Sequence, residues 1–384
     1  MQFRDFELEQ RIVPASYTPQ QIAHAYTLDK LGALGDQGAH ETIAIVDYSL
    51  DPNLASDLHT FDQKYNLPDP PSLKQAFPSG TPPVDANWSV EIALDVEWAH
   101  AMAPKANILY VGSSGPDVSL FGAVQYAAKQ PGVVAVSMSW GTPEFSGESF
   151  NDLLYFGQPG GKHGNVAYVA ASGDTGAQSS YPAASPKVLS VGGTTLLLNG
   201  SSYGSESAWQ GVGYGGGGGP STADRPGKSP ILSWSADPAH GFPVYDSAYT
   251  PRPGWLTVGG TSAGSPQVAA LIAITDEARA KAHRSALSVA QIDGYLASLK
   301  IEVYDGPHAP IHDITLGGTG PDPVSHKAYA AEIGYDYATG YGSPVAARLV
   351  PTLVKLPSVV EQGIRSGHSV APPVTVQPLH EIKA

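Results

Sequence analysis

Four short runs of almost unbroken apolar residues constrain this chain more than anything else in it: Glu41-Thr-Ile-Ala-Ile-Val-Asp47, Lys105-Ala-Asn-Ile-Leu-Tyr-Val111, Val133-Val-Ala-Val-Ser-Met-Ser139 and Asn165-Val-Ala-Tyr-Val-Ala-Ala171. A strand with one wet face alternates apolar and polar residues, so a continuous apolar strand must be covered on both sides. Segments with helical character separate these runs: Ser56 to Tyr65, Val90 to His100 (stopped by Pro104), Leu120 to Lys129, and Phe150 to Phe156. Strand and helix in alternation predict an α/β fold, a single large domain with a mostly parallel central sheet and helices on both faces. Such sheets bind ligands beyond the carboxyl ends of their strands. Asp47, Ser139-Trp140-Gly141 and Gly173-Asp174 fall at those ends.

Residues 1–15 read as an N-terminal lead-in. Residues 16–355 form the predicted domain, and 356–384 read as a disordered tail of Pro, Ser, Val and isolated charges without periodicity. A helix is expected over Gln20 to Leu34 and another over Leu287 to Ser298. From Ser201 to Pro253 the pattern breaks into turns and glycine, with five consecutive glycines from Gly215 to Gly219. That run is either a flexible excursion or a loop whose bare backbone approaches something closely. Lys and Arg total 21 against 35 Asp and Glu, a formal charge of -14, which argues against nucleic acid as a partner. Charged residues are only 15% of the chain, so self-repulsion in acid is limited. Without cysteine there is no disulfide, thiol nucleophile or Cys-ligated zinc. No apolar run approaches the roughly 18 residues of a membrane helix, and the N-terminus lacks a signal peptide's hydrophobic stretch.

The stretch Val258-Gly-Gly-Thr-Ser262-Ala-Gly-Ser-Pro266 runs straight into the apolar helix-former Gln267-Val-Ala-Ala-Leu-Ile-Ala273. Pro is tolerated in a first helical turn, where amides lack a carbonyl partner, so Ser262 stands near the positive end of a helix dipole. Capping is the ordinary role of such a serine. The full Gly-Thr-Ser-x-x-x-Pro spacing instead matches the nucleophile segment of subtilisin-like serine peptidases, whose His-Gly-Thr-His segment is missing here. In its place stands Val90-Glu91-Ile-Ala-Leu-Asp95-Val-Glu-Trp-Ala-His100. Glu91 and Asp95 are one helical turn apart with apolar flanks, so one carboxyl pKa should rise. At about pH 4 a glutamate of pKa ~4.3 is a better base than a histidine of pKa ~6.5. Asp95 would orient Glu91. Asp174, in Ser172-Gly-Asp-Thr-Gly176, would offer an oxyanion donor if protonated, and is otherwise a turn residue.

Taken with Ser137-Met-Ser-Trp-Gly141, Tyr181-Pro-Ala-Ala-Ser-Pro186 and Val191-Gly-Gly-Thr194, these motifs resemble the sedolisin family, the serine-carboxyl peptidases, and especially its kumamolisin-like members, over roughly residues 16 to 352. The resemblance implies a subtilisin-like fold and an acid-acting, secreted endopeptidase, monomeric, with polypeptide substrates and its own pro-domain as inhibitor and chaperone. Catalytic residues would be Ser262, Glu91, Asp95 and Asp174. Ser139, Trp140 and Gly141 would form an edge along which substrate backbone adds as a strand. Asp47 would extend the proton network behind Asp95, with Trp140 also supporting it, or is purely structural. One structural Ca2+ is implied, on the carboxylates of Asp313 and Asp336 and the carbonyls of Ile314, Glu332 and Gly334; the alternative is two turn aspartates without metal. Glu332 stands where the family has glycine, a strained choice if φ is positive there. Lys228-Ser-Pro-Ile-Leu-Ser-Trp replaces the family's Gly-Arg-Gly-x-Pro-Asp stretch, which alters local substrate contacts. Rival readings are a glycosidase using the Glu91/Asp95 pair, which leaves the serine motif unexplained, and an inactive peptide-binding module on the same scaffold.

Overall fold

The computed structural model describes the backbone of residues 4–5 and residues 16–157, 165–211, 214–221, 223, 227–249, 251–299, 308–322 and 325–358. Its centre is an eight-stranded sheet: β1 (Thr42–Tyr48), β2 (Leu73–Ala76), β3 (Asn107–Ser113), β4 (Val133–Met138), β5 (Ala167–Ala171), β6 (Val188–Asn199), β7 (Ser202–Ala208) and β8 (Leu232–Ser235). In space the order is β7-β6-β5-β4-β1-β3-β2, with β8 beside β6. Every pairing is parallel except that of β6 with β7. β1 lies between β3 and β4, and the chain runs through β2 and β3 on one side of it before crossing to β4 on the other, so the carboxyl end of β1 opens onto a topological switch point.

The predicted two-faced burial is observed. Ile43 and Ile45 enter one core with helices α2 (Ala86–Met102) and α5 (Gly264–Lys281), while Ala44 and Val46 enter a second core with α3 (Ser119–Ala128). Helices α1 (Leu54–Tyr65), α4 (Glu148–Tyr155) and α6 (Ala346–Lys355) complete the layers labelled here. α2 is buried continuously from Trp88 to Met102, and this is why it has no polar stripe. Each large apolar side chain so buried contributes about 1.5–3 kcal/mol. No helix among the described residues is long and apolar enough to cross a membrane.

Three expectations need correction. The helix over Gln20 to Leu34 is two helices, Pro19–Ala25 and Leu28–Ala33, broken where Thr27 takes φ 63. The segment Ser201 to Pro253, read as turns, contains β7, β8 and the strand Phe242–Asp246, which pairs with Gly254–Val258. β7 is a mostly polar edge strand and β8 has four residues, so neither carries a readable period. At the C-terminus the chain stays anchored past residue 355: Arg279 and Arg284 donate to the Leu356 carbonyl and Gln291 to that of Pro357. The predicted tail beyond residue 358, and residues 1–3 and 6–15 of the lead-in, lie outside the described residues.

Candidate active site

Ser262 lies in a 3-10 turn, Thr261–Ala263, immediately before α5, with Pro266 in the first turn of that helix as predicted. Gly260 precedes the turn at φ +128, a conformation closed to most side chains, and a Cβ built there would lie 2.5 Å from Asp174 Oδ2. The turn is held by Asp174: its Oδ1 accepts from Thr261 N at 2.8 Å and Thr261 Oγ1 at 2.7 Å. Thr261 Oγ1 in turn accepts from Gly173 N at 3.1 Å. Asp174, 6% exposed, therefore clamps the residue before Ser262. Thr261 was not among the residues singled out from sequence; its place beside the serine was the only available signal.

Helix α2 packs against both this turn and α5. Glu91, Asp95 and Ser262 are fully buried, so the two carboxyls do not lie on a solvent-facing side of α2. Ser139 lies between Asp95 and the Ser262 turn. Its Oγ donates to Asp95 at 2.9 Å (Oδ1) and 2.7 Å (Oδ2), and lies 3.4 Å from the Ser262 carbonyl oxygen. Burial, with the Asp47 charge second and the Ser139 bond opposing, pushes Asp95 well above the usual carboxylate range. Asp47 is thus electrostatically part of the cluster, though buried at the end of β1. Trp140 Nε1 donates to the Val46 carbonyl at 2.7 Å, and the ring packs edge-on to Phe121.

The side chains of Ser139 and Trp140 thus point inward, and the edge offers backbone. In the strand Trp140–Pro143, Thr142 and Pro143 pair with Tyr181 and Ser180, while Trp140 and Gly141 pair antiparallel with Asp5 and Arg4 of this same chain. An extended segment therefore already lies on the edge where substrate addition was expected.

The five-glycine run belongs to the site's floor. Gly215 N donates to the Asp174 carbonyl at 2.9 Å and Gly217 N to that of Gly173 at 2.6 Å. A Cβ on Gly217 would stand 2.4 Å from the Ser172 carbonyl oxygen. Of the two readings of this run, close backbone approach is the one realised.

The expected calcium ligands come together in part. Asp313 accepts from Gly334 N at 3.2 and 3.1 Å, and Asp336 accepts from Glu332 N at 3.0 Å, so both carboxylates flank one short loop. Gly334 carries the positive φ, +83, and Glu332 is absent from the positive-φ residues, so the glutamate is not strained. Oxygen donors preorganised by backbone amides fit a hard cation.

A sequence model of the subtilase family matches residues 90–300. Kumamolisin of Bacillus sp. (strain MN-32) is 30% identical over 90% of this chain and 65% of its own length. Sedolisin of Pseudomonas sp. (strain 101) is 28% identical over 44% of this chain and 29% of its own length. The chain thus spans less than two thirds of either relative. A solved structure of Pseudomonas sedolisin, a serine-carboxyl proteinase complexed with two molecules of pseudo-iodotyrostatin, superposes with a TM-score of 0.72 at 21% identity, over 92% of this chain and 99% of that one. The fold is therefore subtilisin-like.

Proposed function

Since the chain belongs to the sedolisin family of subtilisin-like proteins, we propose that it is an acid-acting serine-carboxyl endopeptidase working through an acyl-enzyme on Ser262. In this reading Glu91 takes the Ser262 proton during attack on the peptide carbonyl and returns it to the leaving amine. Asp95, kept neutral by burial and Asp47, donates a hydrogen bond to Glu91 and leaves the charge there. Asp174, protonated, donates from Oδ2 to the oxyanion, joined by the Ser262 amide. Substrate backbone adds to the Trp140–Gly141 edge, as Arg4 and Asp5 do.

The observation that supports this most is that buried carboxylates stand on both sides of one turn: Asp174 holds Thr261 by two hydrogen bonds, and Asp95 holds Ser139, whose Oγ lies 3.4 Å from the Ser262 carbonyl oxygen. A serine serving only as a helix cap has no need of two buried carboxylates. Digestion of denatured casein between pH 3 and 7, with Ser262→Ala as control, tests the reading; equal digestion by both proteins removes it.

We also propose one structural calcium on Asp313, Asp336 and the carbonyls of Ile314, Glu332 and Gly334. Bound there, the ion would supply positive charge that holds two loops together, apart from the chemical steps. An extracellular, monomeric enzyme restrained by its own pro-domain completes the proposal, on family grounds.

A further inference from the structure

A second group of carboxylates lies near the catalytic ones and has no part in the mechanism above. Asp51 follows β1, Asp57 stands in the first turn of α1, and Asp246 ends the strand Phe242–Asp246. All three are buried, at 0%, 2% and 0% exposure, and each offers an oxygen within 4.8 Å of the other two. Most of their oxygens are accounted for. Asp57 Oδ2 accepts from Ser247 N at 2.7 Å and Asp57 Oδ1 from Ser247 Oγ at 2.8 Å. Asp246 Oδ1 accepts from Ala248 N and Tyr249 N, and its Oδ2 from Ser89 Oγ at 2.7 Å. Asp51 Oδ1 accepts from Asn53 N at 2.8 Å. Asp51 Oδ2 is the exception: it is wholly buried, on a carboxyl grouped with the other two, and has no hydrogen-bond partner among the described residues.

Nor do the ion pairs formed by Lys, Arg and His among the described residues include any of the three. Buried carboxylates without cations are expensive, and either protons or a metal must neutralise them. Burial first, then the charges of Asp246 and Asp57 against the opposing bond from Asn53, push Asp51 up to about 7. A bound cation would remove that cost. We propose that Asp51, Asp57 and Asp246 bind a divalent calcium ion, separate from the one proposed at Asp313 and Asp336. The donors are all oxygen, the choice of a hard cation. Calcium takes six to eight oxygens in flexible geometry, whereas magnesium demands near-ideal octahedral geometry and keeps several of its waters, so three converging carboxylates suit calcium. Ser89 and Ser247 hydroxyls and solvent can fill further positions. Because Ser89 lies on α2 just ahead of Glu91, the ion would tie that helix to the hairpin Phe242–Val258 and to the end of β1.

Calcium titration of chelator-treated full-length protein at pH 7.5, followed by calorimetry, tests this without reference to peptidase activity. Wild type should take up two ions per chain, Asp313→Ala one, and Asp51→Asn one. Asparagine preserves the Oδ1 bond to Asn53 while removing the charge. If Asp51→Asn binds as many ions as wild type, the three acids share protons instead and the proposal fails. Should Asp51→Asn not fold, terbium-soaked wild-type crystals decide: anomalous density among the three aspartates supports the site, and density confined to other places overturns it.

Discussion

Replacing Glu41 by glutamine is expected to leave stability unchanged at pH 4 and to raise it by up to about 3 kcal/mol at pH 8. Glu41 stands just ahead of β1, 5% exposed, and its buried Oε2 has no hydrogen-bond partner among the described residues. Burial, and then the charge of Glu277, push its pKa from 4.5 to about 7. Burial also works against an ionised Glu277, but a Lys281 Nζ contact at 2.9 Å and the amides of Gln37, Gly38 and Ala39 outweigh it and hold that carboxyl below its usual range. Of the two neighbours, Glu41 therefore takes the proton. In the unfolded chain Glu41 ionises near 4.5, while in the folded protein it keeps its proton until about 7. Between those values the folded state binds more protons, so folding loses about 1.4 kcal/mol for each pH unit, or roughly 3 kcal/mol over about 2.5 units. Below 4.5 both states are protonated and nothing is lost. Glutamine cannot ionise and escapes this cost. Denaturant unfolding of both proteins at pH 4, 6 and 8, with calcium held constant and tryptophan fluorescence as the probe, reads the difference. A gap between variant and wild type that stays flat across pH would refute the assignment.

Ser262→Ala, Glu91→Ala and Asp95→Ala should each reduce kcat by several orders of magnitude without adding, since the three act as one device; additive losses in the double variants would argue against it. Asp174→Ala should cost about 10²- to 10³-fold, and Asp174→Asn should move the alkaline limb of the pH–rate profile upward, so an unmoved limb would assign it to another group. In Gly260→Ala the new Cβ meets Asp174 Oδ2 at 2.5 Å, and kcat should fall by at least about 10²-fold with the fold retained; a fully active variant would show that Oδ2 does not serve the oxyanion. Chelation near neutral pH should lower the thermal midpoint by many degrees, with Asp313→Ala and Asp336→Ala each weakening the response to added calcium; a melting curve indifferent to chelator in wild type would dismiss calcium altogether.

Much of this molecule is written locally. The apolar runs of β1, β3, β4 and β5 announced a sheet covered on both faces, because burial on two sides is visible in five to seven consecutive residues. The Gly-Thr-Ser-x-x-x-Pro spacing announced a serine before a buried helix, and the Glu91/Asp95 spacing two acids on one helical face, since both depend on neighbours within a few residues. Polar β7 and short β8 escaped notice because a strand's pairing partner, not its own period, stabilises it. What surrounds the serine was beyond local reading. Ser139 reaches Asp95 across 44 positions of the chain and Thr261 reaches Asp174 across 87, so the clamp exists only once the strands have docked. The five glycines could be told from a flexible loop only when the Ser172 and Gly173 carbonyls arrived against them. Asp57 and Ser247 meet over 190 positions, and in the sequence Asp51, Asp57 and Asp246 look like three ordinary surface acids. Hydrophobic periodicity records which side of an element is dry, but a hydrogen bond or a shared charge needs atoms within a few ångströms, and only the folded chain brings them that close.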